Sequence, residues 1–563
     1  MSKVKKIFEK KSEIKLTLLW LLEQSKGVRK YTVVFLIISL FSMLFSLASP
    51  VASKFVVDAA ISPTQEFRFE YALIMLGTTL VSILLSSISN IFSGYVNEKF
   101  AFSVRAVMFD RTQRGSWKNI SSFHSGDMLS RLTSDVDNIA TNIVSLLPSL
   151  IITSIQLVII LIILLTVDPM LAVIGLVVGP VGLILATVYR KPYQKYTRTL
   201  RESQSEYYTF FQETLGNIDV IKAFQLEEKN NEYFSSLRER RMKTVMKSTK
   251  LSTLMSATMR LIYAVGYVVA FCWCASRIGS SPAYTYGTMT LFLTLVSQLQ
   301  TSIRGLGGVI PTFYSMLVSA KRVRDITEQS REDTEVLKDM PKKVGLKVQN
   351  VTFSYNERKI LDKINLDISP CERVGIVGES GAGKTTLIRL LLALVTPNEG
   401  NVIFTKDKDE IEYASPSSRR FISYVPQGNT LMTGTVRDNL LTGNPDATEE
   451  MMWDALKKAD ADNFIKDDQR GLDMPIKEKS GGVSAGQAQR ICIARALLRD
   501  RPVMIFDEAT SALDENTERR VFEELSQDNN HSYFVITHRK SMLKYCTAIL
   551  EVNRDGSIKY TKK

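Results

Sequence analysis

The chain has 563 residues, with 71 Lys and Arg against 58 Asp and Glu, a net charge of +13. A mean hydropathy of +0.01 averages two unlike halves, long apolar tracts between 31 and 320 and a charged, mixed sequence after 340. This excludes a wholly soluble enzyme, a disordered chain and a disulfide scaffold. Length alone suggests about three to four units at roughly 150 residues each.

The first 30 residues carry Lys3, Lys5, Lys6, Lys10, Lys11, Lys15, Lys26, Arg29 and Lys30. No short apolar region with a cleavage site accompanies them, so no removable signal peptide is expected. Lys15 to Gln24, with Leu16, Leu19 and Trp20, reads as an amphipathic helix lying in the inner membrane interface. Six apolar tracts follow, Tyr31–Ser53, Tyr71–Asn97, Ile139–Val167, Pro169–Tyr189, Leu261–Ser276 and Ile278–Ile303. Five reach the length of about 18 uncharged residues that a spanning helix needs. The sixth, Leu261–Ser276, extends back to Leu251 across Arg260. Spanning helices are predicted at roughly 31–53, 69–97, 139–167, 169–190, 251–277 and 284–320.

Basic residues crowd the amino terminus, Glu98–Asp137 and Arg190–Lys250, whereas the loops near Ser62, Asp168 and Ser281 carry few. Positive residues stay on the cytosolic side. A multi-pass cell-membrane protein is therefore expected, with both termini and two long loops in the cytosol. The excess positive charge suits anionic lipid headgroups, and no nucleic-acid partner is expected. The two long loops are rich in helix formers, so the helices should project past the bilayer, with breaks at Phe123–Asp127 and Gln212–Gly216. The five cysteines, Cys272, Cys274, Cys371, Cys492 and Cys546, have no framework spacing, and a reducing cytosol fits.

The expected architecture is a six-helix transmembrane domain at 1–325, a polar linker at 326–343 and an α/β domain at 344–563. In the last, the buried strand Arg373–Val377 runs into Gly378-Glu379-Ser380-Gly381-Ala382-Gly383-Lys384-Thr385-Thr386 and then a helix over Leu387–Leu394. This is the phosphate-binding G-x-x-x-x-G-K-[ST] loop in its strand–loop–helix setting. Its glycines let backbone N–H groups wrap a phosphate, Lys384 reaches the β/γ-phosphates and the Thr385 hydroxyl suits Mg²⁺. A second strand, Pro502–Phe506, ends in Asp507-Glu508, and a third, Tyr533–Ile536, in Thr537-His538. Asp507 suits the Mg²⁺ shell and Glu508 is placed to polarise a water in line with the γ-phosphate. His531 reads as a solvated loop histidine.

In these residues the soluble half resembles the nucleotide-binding domain of an ABC transporter. Ser484-Ala485-Gly486-Gln487 resembles the family's signature motif, Ser511-Ala512-Leu513-Asp514 the D-loop, Val425-Pro426-Gln427 the Q-loop and Tyr355 the adenine-stacking aromatic. The membrane half resembles exporter half-transporters in Gly126–Asp137 and Glu213–Phe224. The resemblance implies ATP and Mg²⁺ as cofactors. Tyr355 would stack on adenine, Gly378 to Thr386 would hold phosphates, and Thr385 and Gln427 would ligate Mg²⁺ with Asp507 in support. Glu508 would be the general base, with His538 and Lys384 on the γ-phosphate. Ser484, Gly486 and Gln487 would complete the site of a second half-transporter, in a homodimer or a heterodimer. The loops near Gln113–Trp117 and Leu215–Phe224 would transmit closure of the ATP-binding domains.

Two departures stand out. The usual L-S-G-G-Q is Val483-Ser484-Ala485-Gly486-Gln487, where the Ala485 methyl would hinder closure if φ there were positive. The usual G-E-x-G before it is Lys477-Glu478-Lys479-Ser480. The expected function is an ATP-driven exporter of an apolar or amphipathic molecule such as a drug, lipid or peptide. The alternatives are an importer of metal chelates on the same fold and a non-pumping ATP-gated regulatory subunit. Gln298 and Arg304, with Gln156 and Gln300, are the polar residues of otherwise apolar helices and the candidate substrate contacts.

Overall fold

The computed structural model describes residues 2–61, 69–278, 284–307, 309–332, 341–406, 409–428, 430–477 and 481–563. The chain divides into two compact units, Met1–Asp110 with Ser125–Glu328, and Arg111–His124 with Gln329–Lys563.

In chain order the helices up to residue 327 are α1 (Ser2–Gln24), α2 (Arg29–Ile61), α3 (Phe69–Arg114), α4 (Trp117–Ile120), α5 (Ser125–Ser130), α6 (Val136–Val167), α7 (Pro169–Gly216), α8 (Ile218–Ala223), α9 (Glu227–Arg277), α10 (Tyr286–Gly307) and α11 (Val309–Thr327). Among the described residues four helical stretches, Arg29–Ile61, Phe69–Arg114, Ser125–Thr166 and Glu227–Arg277, are long and apolar enough to cross a membrane. The other two predicted tracts fall on α7 and on α10 with α11. Ile74, Leu80, Leu84, Ile88 and Ile91 of α3 are exposed, as lipid-facing residues are.

The helices outrun the apolar tracts. At about 1.5 Å per residue the 46 residues of α3 reach roughly 70 Å, more than twice the ~30 Å hydrocarbon core. The first predicted break comes earlier than Phe123. The chain leaves α3 at Gly115, where a Cβ would meet the Arg111 carbonyl at 2.6 Å. The second comes later, because α7 runs unbroken through Gln212–Gly216 and ends at Asn217. α7 starts sharply, since Pro169 occupies its first turn and the Asp168 side chain accepts from Met170 N.

Phe292, Leu295, Val296 and Leu299 of α10 pack with Ile160 and Leu164 of α6, Leu171 of α7 and Met43 and Leu47 of α2 to form the core of the first unit. A polar cluster ties the start of α6 to α11. Asp135 accepts from Ser319 Oγ at 2.8 Å and pairs with Arg322 at 2.9 Å, while Asp127 pairs with Arg131 at 2.9 Å and Arg322 at 2.5 Å. Asp135 is buried, and a buried carboxylate needs such partners.

The second unit contains β1 (Gly345–Tyr355), β2 (Arg358–Ile368), β3 (Arg373–Gly378), α12 (Lys384–Leu391), β4 (Glu399–Lys406), β5 (Asp409–Tyr413), β6 (Ile422–Val425), β7 (Gly434–Thr435), α13 (Val436–Leu441), α14 (Glu449–Lys458), α15 (Asp462–Lys466), β8 (Pro475–Ile476), α16 (Ala485–Arg499), β9 (Val503–Asp507), α17 (Glu515–Gln527), β10 (Ser532–Ile536), β11 (Ala548–Val552) and β12 (Ile558–Lys562). Six strands form the main sheet in the order β12-β11-β3-β10-β9-β6, parallel except for β12. An antiparallel sheet, β2-β1-β4-β5, shares one apolar core with it through Phe404, Phe421, Ile376 and Leu387. Both faces of β9 and β10 are buried, as parallel strands require.

Part of the expected linker is tied down. Glu332 pairs with Arg419 at 2.5 Å, accepts from Trp117 N at 3.3 Å and donates its own N–H to Arg114 O at 2.7 Å. Residues 333–340 lie outside the described residues, as do Glu478, Lys479, Ser480 and the side chain of Arg304.

Candidate functional site

The register of the parallel strands assembles the site. Ile536 of β10 sits beside Ile376 of β3 and Asp507 of β9. The segments that leave these three strands therefore emerge side by side at the carboxyl edge of the sheet, where open α/β sheets bind ligands.

The loop from β3 to α12 depends on glycine at two positions. Gly378 has φ +153 and a Cβ there would meet Val552 O at 2.4 Å. Gly383 has φ +110 as the residue before α12. That left-handed cap starts α12 at Lys384, three residues earlier than the predicted Leu387, and places Lys384, Thr385 and Thr386 in its first turn. The Lys384 ammonium is buried and donates to Gly378 O at 2.7 Å and Glu379 O at 3.1 Å. Burial lowers its pKa, against the opposing pull of Glu508 and Asp507. Glu379, Ser380, Gly381 and Ala382 form the turn, with Ala382 N donating to Glu379 O at 3.2 Å.

Opposite the loop, Glu508 accepts from Gln427 Nε2 at 2.7 Å and lies 3.0 Å from His538 Nε2. Its φ of +50 is the left-handed region, a costly setting for a side-chain-bearing residue. Asp507 is buried. Burial and the adjacent Glu508 push its carboxyl up, against a hydrogen bond from Tyr424 at 3.4 Å. The site thus sets two adjacent carboxylates beside a buried ammonium, so a polyanion bearing a cation suits both ends. Thr385, Gln427 and Asp507 offer oxygen donors, the set that hard divalent cations take together with phosphate oxygens.

Tyr355, on β1, stands edge-on to Phe353 at 4.9 Å and accepts from Arg389 Nη1 at 3.1 Å. Arg389 in turn lies 4.8 Å over the ring of Trp117. Ser484, Gly486 and Gln487 belong instead to the amino end of α16. The Ser484 hydroxyl accepts from Gln487 N at 3.2 Å and Gln487 Oε1 accepts from Ser484 N at 2.8 Å, a reciprocal cap. Ala485 is the first residue of α16, outside the positive-φ region. The feared backbone penalty of its methyl is therefore absent. Gly486 is needed for proximity, since a Cβ there would meet Ala512 O at 2.9 Å.

Sequence reasoning gave no role to several residues that support the site. Gln489 donates to Ser511 Oγ at 3.1 Å and accepts from Ala512 N at 3.0 Å, locking α16 to the segment after Glu508. Glu518, 1% exposed, pairs with Arg539 at 2.5 Å and accepts from Thr510 Oγ1 at 2.6 Å. Arg539 also donates to Leu513 O at 3.1 Å, so the turn bearing His538 is fastened to the start of α17. No local pattern signals pairs so far apart in sequence. Of the candidate substrate residues, Gln298 on α10 has a buried Oε1 without a hydrogen-bond partner.

His531 is not the solvated residue expected. It is held between Asp500 at 3.0 Å and Asp528 at 2.5 Å. Burial opposes its charge, but the two carboxylates outweigh this and raise its pKa to about 9. A raised folded-state pKa contributes stability that is complete below the ordinary value of 6.5 and lost as pH rises through about 9. We expect the melting temperature of the protein to fall between pH 7 and 9.5, and that fall to be absent in His531→Gln. An equal fall in both proteins would refute the assignment.

The chain matches the family description "ABC transporter transmembrane region" over residues 32–303 and "ABC transporter" over 361–511. It is 32% identical over 449 residues to the ATP-dependent lipid A-core flippase of Desulfotalea psychrophila, covering 78% of this chain and 77% of the relative. It is 26% identical over 546 residues to the putative multidrug export ATP-binding/permease protein YgaD of Bacillus subtilis, covering 95% and 94%. Its fold is that of a bacterial Atm1-family ABC exporter solved with ATP bound, with a TM-score of 0.81, 23% identity and coverage of 95% and 96%. A transmembrane region and an ATP-binding domain on one polypeptide, with an ATPase edge built by β3, β9 and β10, place this chain in the ABC transporter family, as a multi-pass membrane half-transporter that dimerises and couples ATP hydrolysis to transport.

Proposed function

We propose that the chain is one half of an exporter that moves an amphipathic, lipid-like molecule out of the cytosol. The observation that carries this reading is Glu508, held between Gln427 and His538 opposite the Lys384 loop, on a chain whose other unit is membrane-spanning. In this reading Gly378 to Thr386 wrap the phosphates, Tyr355 stacks on adenine, and Lys384 and His538 face the γ-phosphate. Glu508 takes a proton from the attacking water. Thr385, Gln427 and Asp507 hold Mg²⁺, which when bound neutralises charge on the phosphates.

Ser484, Gly486 and Gln487 act on the partner's nucleotide. The helical φ of Ala485 leaves that end of α16 intact, which supports a homodimer with two equivalent sites. Leu215, Ile218, Val220 and Phe224 are exposed and apolar at the α7–α8 turn, and in this reading they dock on the partner's ATP-binding unit. The basic amino terminus and both long loops face the cytosol. The transmembrane domain is taken as 1–325 and the ATP-binding domain as 344–563. The names of the two curated relatives, a flippase and an export permease, support an amphipathic substrate and outward transport.

Inside-out vesicles containing the protein test the reading. With Mg-ATP they should accumulate a fluorescent amphiphilic dye against its gradient. Accumulation only in right-side-out vesicles would establish import, and ATP turnover with no accumulation in either would establish a regulatory subunit.

A further inference from the structure

We propose that the first unit carries a lateral site for one acyl chain of an anionic phospholipid, with its phosphate at Arg29. Between α1, α2, α6 and α11 lies a cavity of about 340 Å³, lined by Leu18, Leu21, Val28, Ile143, Leu146 and Phe313 among others. That volume is within the roughly 300–1,000 Å³ of small-molecule sites. The lining is apolar apart from Ser25, Arg29, Thr32 and Asn142, so it suits a hydrocarbon chain with a polar group at one end.

The rim identifies where the occupant comes from. Leu22, Val33 and Leu147 line the cavity and are themselves 51%, 56% and 53% exposed. Val33 and Leu147 belong to α2 and α6, two helices long and apolar enough to cross the membrane, so this rim faces hydrocarbon. Leu16 and Leu19 continue the exposed apolar stripe along α1, whereas Trp20 and Leu21 on its other side are buried. A lipid tail therefore reaches the cavity without crossing water.

The polar end matches an anionic headgroup. Arg29 is exposed and donates one N–H to Leu22 O at 2.6 Å, out of the five a guanidinium carries. Lys26 and Lys30 flank it in sequence, and Lys26 lies 3.7 Å from Glu23. Two of the helices around the cavity are fixed against each other in advance. Arg324 donates to Thr17 Oγ1 at 2.9 Å and Lys321 pairs with Glu13 at 2.5 Å, and both contacts hold α1 against α11. This site is separate from the nucleotide chemistry and needs no residue of it.

The test is native mass spectrometry of the full chain, purified in mild detergent and supplied with equal amounts of phosphatidylglycerol and phosphatidylcholine. The parent should retain phosphatidylglycerol severalfold over phosphatidylcholine. Ile143→Trp, which fills the cavity, should lose both adducts, and Arg29→Gln should lose the preference while still binding. Undiminished adducts in Ile143→Trp would overturn the cavity, and equal retention of the two lipids by the parent would overturn the headgroup assignment. Glycerol phosphate, a headgroup without a tail, should displace nothing. Displacement would mean a free-anion site and overturn the proposal. Should Ile143→Trp fail to assemble, a phosphatidylglycerol with a photoreactive group in its acyl chain gives an independent answer. Labels on residues 18–33 and 142–147 support the site, and labels only elsewhere overturn it.

Discussion

Glu508→Gln should lower steady-state ATP turnover by about 10²–10⁴, the usual contribution of a positioned general base, while nucleotide binding survives. The amide keeps the size of the carboxylate and still accepts from Gln427, whose Nε2 lies 2.7 Å away, so the constellation should persist. What disappears is the proposed proton acceptor. Lys384 stays on the loop proposed to grip the phosphates and is hydrogen-bonded to Gly378 and Glu379, so affinity should change little. Phosphate release measures the first effect and equilibrium binding of a fluorescent ATP analogue the second. Turnover within twofold of the parent would assign the base elsewhere.

Gly486→Val should remove turnover by roughly 10², comparable to the loss of a donor aimed at developing charge, again with nucleotide binding retained. The cause is steric. Even a Cβ would approach Ala512 O to 2.9 Å, so a branched side chain must push α16 away from the segment that Gln489 locks to it. The phosphate loop lies on other elements and is untouched. The variant also tests the subunit arrangement. When Gly486→Val and Glu508→Gln chains are co-expressed with different tags and mixed dimers are isolated, each mixed dimer holds one intact site, with Glu508 from the Gly486→Val chain and Gly486 from the Glu508→Gln chain. Such dimers should recover a substantial part of the parent turnover, and recovery of none would overturn the assignment of Gly486 to the partner's site.

Much of the candidate site was legible because it is local in sequence. The loop from Gly378 to Thr386 and the carboxylates Asp507 and Glu508 at the end of β9 are each contiguous, and strand termini aligned by register place them together. The limits of the helices were less legible because the apolar tract marks only the part facing lipid. The amino-terminal half of α9 is polar on most sides. It is held as a helix by α7, through Tyr207 with Phe234 at 5.3 Å, Phe210 with Tyr233 at 5.0 Å, and Glu206 with Arg240 at 3.2 Å. These partners lie too far apart for hydrophobic periodicity to detect. The same holds for His531, whose ring is set by Asp500 across a strand, and for Glu332, whose charge is met by Arg419.

The conformation of Ala485 bears on how such chains are sorted. Read as a motif, the alanine looks like erosion of an active centre. At the head of α16 it replaces the residue with the largest backbone entropy to lose by the one that forms helix most readily, a difference of about 1 kcal/mol at interior positions. The first turn of α16 is therefore stiffer than a glycine pair would make it, and the reciprocal Ser484–Gln487 cap holds that end of the helix in one shape.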